Sequence, residues 1–365
     1  MRNRLIQFAA VLALVAVSAY GPATARVAGA VETSPSWSSI GPLTFAPDGT
    51  LYAADPQAAT IFAVDLGASA SGGAPGTASV AGIDQKIAAM LGTDAKEIAI
   101  TDLAVHPKTH NSFVAVMRGQ GANAKPALLR IDGAGKVDLV ATESLKSTSV
   151  TLPNPPAANA TGRNNRTQSI TKLQFANGRV WVAGLSNEEF ASTLWSVAYP
   201  FNKADNGTSV EIFHGNHQRV ETASPVYAFI PYTIDNQPYI IGAYLCTPLV
   251  KFPVASLAPG TKYRGTTIAE LGAGNRPIDM VLYKKNGKEF LLMSNTSRGV
   301  MKIPTQDFAT AAPITTGVTA ETAGVPYEKI TAMTGIQQLD LLDATHSVVI
   351  ASANPGLNLT AAELP

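Results

Sequence analysis

The residues with the plainest capacity for chemistry are few. His214-Gly215-Asn216-His217 places two imidazoles three apart, a spacing at which both can reach one transition-metal ion. A zinc-type site needs three or four ligands. No thiol or carboxylate adjoins the pair, so Cys246, the single cysteine, and Asp102 complete a set only if the fold brings them close. His214, His217 and Cys246 are therefore an incomplete metal set, and solvated loop histidines are the default. His106 and His110 fall in a turn and read as surface residues. Oxygen donors at Asp55, Asn187, Asn295 and Asn354 offer a second option, a calcium- or magnesium-type cage with little carboxylate charge. Serine-hydrolase elbow, P-loop, HExxH and dinucleotide motifs are all missing. The sequence names no cofactor; a divalent metal is the one its residues allow.

The elements that must position these residues come from a repeat. Ile100-Thr101-Asp102-Leu103 recurs as Ile170-Thr171-Lys172-Leu173 and as Ile330-Thr331-Ala332-Met333. Ile40-Gly41-Pro42-Leu43, Ser224-Pro225-Val226-Tyr227 and Asn275-Arg276-Pro277-Ile278 fill the same slot. Each opening leads through a short strand, a Gly-bearing polar turn such as Pro47-Asp48-Gly49, and two or three further short strands rich in β-branched and aromatic residues. Four short antiparallel strands per unit of roughly 50 residues are the mark of a propeller blade. The fold class predicted is all-β, a six-bladed β-propeller with blades starting near 40, 100, 170, 224, 275 and 330 in one domain over 31–365. The sixth unit ends after its third strand, so residues 32–38 are expected to add the missing outer strand and close the last blade. Residues 84–91 are the one helical candidate. Residues 147–167, with three prolines and four asparagines, read as a long polar loop able to lid the channel.

The register aims strand-one entries and strand-two exits at one end of the central channel. That face is predicted to carry Asp55, Asp102, Lys172, Asn187, Arg276, Asn295 and Asn354 as ligand-binding residues. Charged groups so clustered also commonly pair with one another and hold water.

The first thirty residues are a different kind of segment. Arg2 and Arg4 precede the apolar run 5–17, followed by Ala23-Thr24-Ala25 and Ala28-Gly29-Ala30. This is a signal-peptide layout, with cleavage after Ala25 or Ala30, and the run is too short for a membrane span of about 20 residues. The protein is expected in the periplasm or secreted, with no integral membrane segment after processing. One cysteine excludes an internal disulfide, and some 330 remaining residues can build a core without one. Charged residues are only 15% of the chain and the net charge is +1, which argues against a nucleic-acid partner and against a disordered chain.

Residues 41–55, Gly-Pro-Leu-Thr-Phe-Ala-Pro-Asp-Gly-Thr-Leu-Tyr-Ala-Ala-Asp, resemble the first blade of NHL, YncE-like and SMP-30 (gluconolactonase-type) propellers. The resemblance implies the six-bladed ring. SMP-30-type lactonases hold a divalent metal in the channel through a Glu, an Asn and an Asp; the Glu position is Ile40 here, and Asn187 or Asn295 would be the amide counterpart. Three functions follow. The first is an exported binding module for a small molecule or a protein, using the channel face and not catalytic. The second is a metal-dependent hydrolase or lactonase of the SMP-30 type. The third is a periplasmic accessory to redox or metal chemistry.

Overall fold

The computed structural model describes residues 33–365 apart from Pro75, so the signal segment expected over 1–30 lies outside the described residues. Six small antiparallel sheets stand round a common axis as a six-bladed β-propeller. Their inner strands are Leu43–Phe45, Ile98–Val105, Lys172–Ala176, Ala228–Ile234, Pro277–Lys285 and Ile336–Leu341, taken as blades one to six. Period-two alternation explains the packing. In blade one, Leu51, Ala53, Phe62 and Val64 face blade two, while Tyr52, Ala54, Ile61 and Ala63 face blade three. Both faces of every blade are thus apolar, and the core is divided into six layers, one per blade interface.

Those layers reveal a ring order that differs from the sequence order. Blade one packs against blades two and three, and blade two packs against blade six. The order round the axis is two, one, three, four, five, six. The chain starts in blade one and steps to blade two in one rotational sense. It then returns and runs through the other four blades in the opposite sense. The return leaves a strand behind: Lys146–Thr151 pairs antiparallel with Thr60–Asp65 as the outer strand of blade one. Residues 147–151, expected in the polar loop, are therefore strand; Ser147, Val150 and Leu152 are buried there.

Ring closure also departs from expectation. Thr33, the first described residue, exchanges two backbone hydrogen bonds with Ser147, at 3.0 and 2.8 Å, so the N-terminal segment extends blade one, not blade six. Blade six has three strands, and its free edge at Leu359 is met by Val80 through bonds of 2.7 and 3.0 Å. Val80 leads into the helix Ile83–Leu91, whose fully buried Ile83 and Ile87 wedge between blades two and six. The excursion between the first two repeats thus does the closing. Finally, Glu328–Ile330 is the outer strand of blade five, so the opening read at Ile330 falls early and the axis is reached at Gly335–Gln338 instead.

Candidate functional site

Inner strands are sheet edges, and their inward N–H groups need acceptors. Three aspartates supply them across blade boundaries. Asp102 of blade two accepts from Leu43 N of blade one at 2.7 Å, Asp279 of blade five from Leu339 N of blade six at 2.8 Å, and Asp340 of blade six from Val105 N of blade two at 2.7 Å. Local bulges near Ile100–Asp102 and Pro277–Met280 break the alternation where Asp102 and Asp279 turn to the axis. Lys172 of blade three reaches across the channel. Its ammonium bonds both oxygens of Asp102, at 3.0 and 3.2 Å, and Oδ1 of Asp279. All three side chains are buried.

This cross-piece has a defined electrostatic state. Burial raises Asp102 to about 6, against the opposing pull of Lys172. Burial disfavours the Lys172 charge, but Asp102 and Asp279 more than reverse that and hold its pKa above the usual lysine range. Burial raises Asp340 to about 7, with the N–H groups of Val105 and Leu341 working the other way. The cross-piece divides the channel. Below it lies a chamber of about 350 Å³ lined by Phe45, Phe175, Gln174, Asp340 and Leu342.

Above it lies the mouth, formed by two adjoining cavities of about 470 and 920 Å³ that share Pro42, Thr101, Thr171, Tyr227 and Arg276. Thr101 and Thr171 are fixed because each hydroxyl bonds a neighbouring blade, at Ile40 O (2.9 Å) and Val226 O (2.6 Å). Ile40, Pro56, Met117 and Ile170 make an apolar wall in the larger cavity. Arg276 lies over the Tyr227 ring at 5.7 Å, and Gln168 donates to Tyr227 Oη at 3.3 Å. The Arg276 guanidinium has no carboxylate partner among the described residues. The far end of the 147–167 segment lines the cavity at Thr167, with Gln168 next to it, and Arg166 pins it to Gln57 O and Pro156 O.

Of the seven residues predicted on this face, the structure brings Asp102 and Lys172 into contact and places Arg276 at the mouth. Asp55 is fully buried elsewhere: its carboxylate takes Ser38 N, both Ser38 and Ser39 hydroxyls, and Ala58 N, clamping the N-terminal segment to blade one. Asn295 is buried against Asn275, Met293 O and Gly299 O. Asn187 and Asn354 are exposed in turns and line none of the three axial cavities. Asp279 and Asp340 escaped sequence reasoning, although a carboxylate inside an apolar inner-strand run (Ile278-Asp279-Met280, Leu339-Asp340-Leu341) was a usable signal.

The histidines lie far from the axis in the fold, at the outer edge of blades three and four. His214 ends the outer strand Thr208–His214, His217 follows in the turn, and Glu221 lies on the next strand, Arg219–Glu221. One ligand atom from each of the three falls within 4.8 Å of the others. Cys246 does not join them: it stands half-buried in the tight turn between strands Gln237–Ala243 and Pro248–Pro253, with φ of 61° and its N–H on Asn275 O. His106, read as a surface residue, is buried under Phe45.

No family model and no curated protein sequence matches the chain. Solved structures similar to this chain include an engineered glycoside hydrolase of family GH43, at 15% identity and TM-score 0.36, covering 69% of this chain and 48% of that one. This chain thus spans about half the length of that enzyme. The PQQ-bound aldose sugar dehydrogenase of Streptomyces coelicolor is similar at 11% identity over 90% of this chain and 96% of that one, with TM-score 0.33. The soluble aldose sugar dehydrogenase of Escherichia coli is similar at 9% identity over 89% and 96%, with TM-score 0.35. Likenesses this distant carry no argument about the site or its chemistry.

Proposed function

We propose that this is an exported propeller that binds a small organic anion, one with a carboxylate or similar group on an apolar body, in the channel mouth. The observation that carries the reading is Arg276. It is a guanidinium without a carboxylate partner among the described residues, set on an aromatic face beside a cavity of about 920 Å³ with an apolar wall. Cavities of roughly 300–1,000 Å³ with few convergent polar groups suit small ligands. A planar guanidinium is suited to bidentate contact with a carboxylate. The cross-piece beneath makes a rigid floor.

The lactonase alternative fits the residues poorly. Its channel metal needs acidic and amide donors, but Ile40 stands at the acidic position, and Asp102 and Asp279 already pair with Lys172. Asn187 is exposed, and Asn295 bonds its own neighbours. The signal-type segment over 1–30 supports a periplasmic or secreted setting.

The test is a thermal-shift screen of the purified protein against small mono- and dicarboxylic acids, with calorimetry on the hits. A saturable ligand whose affinity falls at least about tenfold in Arg276→Ala, as expected for loss of a charged hydrogen bond, supports the reading. Hits unaffected by Arg276→Ala, or none while a protein is captured through the same face, refute it.

A further inference from the structure

The cluster at the outer edge of blades three and four is separate from the channel and has an unexplained feature. His214 Nε2 and Glu270 Oε2 are both buried, face each other at 3.6 Å, and have no hydrogen-bond partner. Both side chains are fully inaccessible. Orphaned buried polar atoms normally have a reason. The other side of the imidazole supplies one. His214 Nδ1 lies 3.2 Å from Glu221 Oε2, and His217 Nδ1 lies 2.7 Å from Glu221 Oε1, with the two imidazole rings 3.7 Å apart between centroids.

We propose that His214, His217 and Glu221 form a binding site for a transition-metal dication of the zinc class, with Glu270 as the carboxylate that positions His214. Metal–nitrogen and metal–oxygen bonds of about 2.0–2.1 Å in a tetrahedron put donor atoms about 3.3 Å apart. Each imidazole Nδ1 faces its own Glu221 oxygen, at 3.2 Å for His214 and 2.7 Å for His217, and one ligand atom from each residue lies within 4.8 Å of the others, so side-chain rotation draws the three onto one ion. A ligating histidine characteristically donates its other ring N–H to a carboxylate. With Nδ1 on the metal, His214 carries its proton on Nε2, and Glu270 Oε2 is the waiting acceptor. Two imidazoles and one carboxylate select zinc, copper, nickel or cobalt over calcium or magnesium. His217 is the exposed edge of the site, where solvent takes the remaining position.

The scaffold is already fixed. Glu270 Oε1 accepts from Gly215 N at 2.6 Å, and Val318 N donates to Gly215 O at 2.9 Å. A Cβ on Gly215 would approach Val318 Cγ2 to 2.8 Å, so the turn between the two histidines is held close under the 314–320 segment. One group opposes the ion: Arg219 donates to Glu221 Oε1 through Nε and Nη2, both at 3.1 Å. Its side chain is exposed and free to swing out when the metal takes that oxygen.

The experiment uses the full chain without a histidine tag, stripped with chelator, and titrated with Co(II) followed by its visible absorption and with Zn(II) by calorimetry. One equivalent is expected to bind, with the intense visible bands of a four-coordinate cobalt site. His217→Ala, at the exposed edge where folding is least at risk, should abolish both signals while circular dichroism is unchanged. Glu270→Gln keeps the bond to Gly215 and should weaken binding about 10–100-fold. Cys246→Ser should bind as wild type. Absence of saturable binding in the wild type, or full binding in His217→Ala, overturns the site. Unchanged affinity in Glu270→Gln overturns the positioning role.

Discussion

Replacing Lys172 with Met tests whether the axial cross-piece holds the ring. Met preserves most of the apolar stem and deletes the ammonium, leaving Asp102 and Asp279 facing one another in a buried channel. Removing one partner of a buried ion pair costs about 3–5 kcal/mol, because the remaining charge is uncompensated. At about 2.1 cal/mol/K of unfolding entropy per residue, that lowers the Tm by roughly 4–7 °C for a chain of this size. The loss is expected to depend on pH, with a definite sign. Burial already raises Asp102 to about 6, and Lys172 is the group opposing that rise. Without it the folded-state pKa climbs further above the unfolded value. Stability from such a group is complete below the unfolded pKa and is lost as pH rises through the folded one. The Lys172→Met defect should therefore be largest near pH 7.5 and shrink toward pH 5, by up to about 1.4 kcal/mol per pH unit for each proton taken up. Urea denaturation of both proteins at half-unit intervals measures this. A loss below about 1 kcal/mol at pH 7.5, or one that does not change with pH, refutes the argument that charge at the axis is what ties blades two, three and five together.

Three further outcomes are expected. Asp340, raised by burial to about 7, binds its proton more tightly folded than unfolded, so its contribution fades between about pH 4 and 7; the difference in stability between wild type and Asp340→Asn should slope across that range, and a flat difference would count against the shift. Ile87→Ala removes a fully buried side chain from the wedge between blades two and six and should cost about 2–4 kcal/mol by denaturant titration; a change under about 0.5 kcal/mol would show that the helix does not close the ring. Asp55→Ala strips four hydrogen bonds from the clamp on residues 38, 39 and 58 and should cost about 1–3 kcal/mol and speed proteolysis near residue 38; an unchanged cleavage rate would mean the segment is held otherwise.

Much of the architecture was written in local pattern. Alternation such as Leu51-Tyr52-Ala53-Ala54, with both phases apolar, demands a sheet covered on both faces, and a turn such as Pro47-Asp48-Gly49 returns the chain at once. Six such units leave little choice but radial stacking. The helix at 83–91 was legible from the same kind of local signal. Local pattern also put Asp102, Lys172 and Arg276 at strand-one entries, and two of these meet in the channel.

What the sequence could not contain was the order of the blades and everything that crosses between them. Hydrophobic alternation says that a face is covered, not which blade covers it. Only packing decided that blade two stands between six and one, that residues 146–151 return to blade one, and that Val80 closes blade six. The site follows the same division. Bulges shift the side-chain phase by one residue, and so turn Asp102 and Asp279 inward for reasons of pairing that strand propensity does not encode. Glu270 stands 56 residues after His214 in sequence yet faces its imidazole at 3.6 Å, because the outer strands of blades three and four run side by side. Residue type fixed which groups were able to act; the long-range register of the ring decided which of them meet.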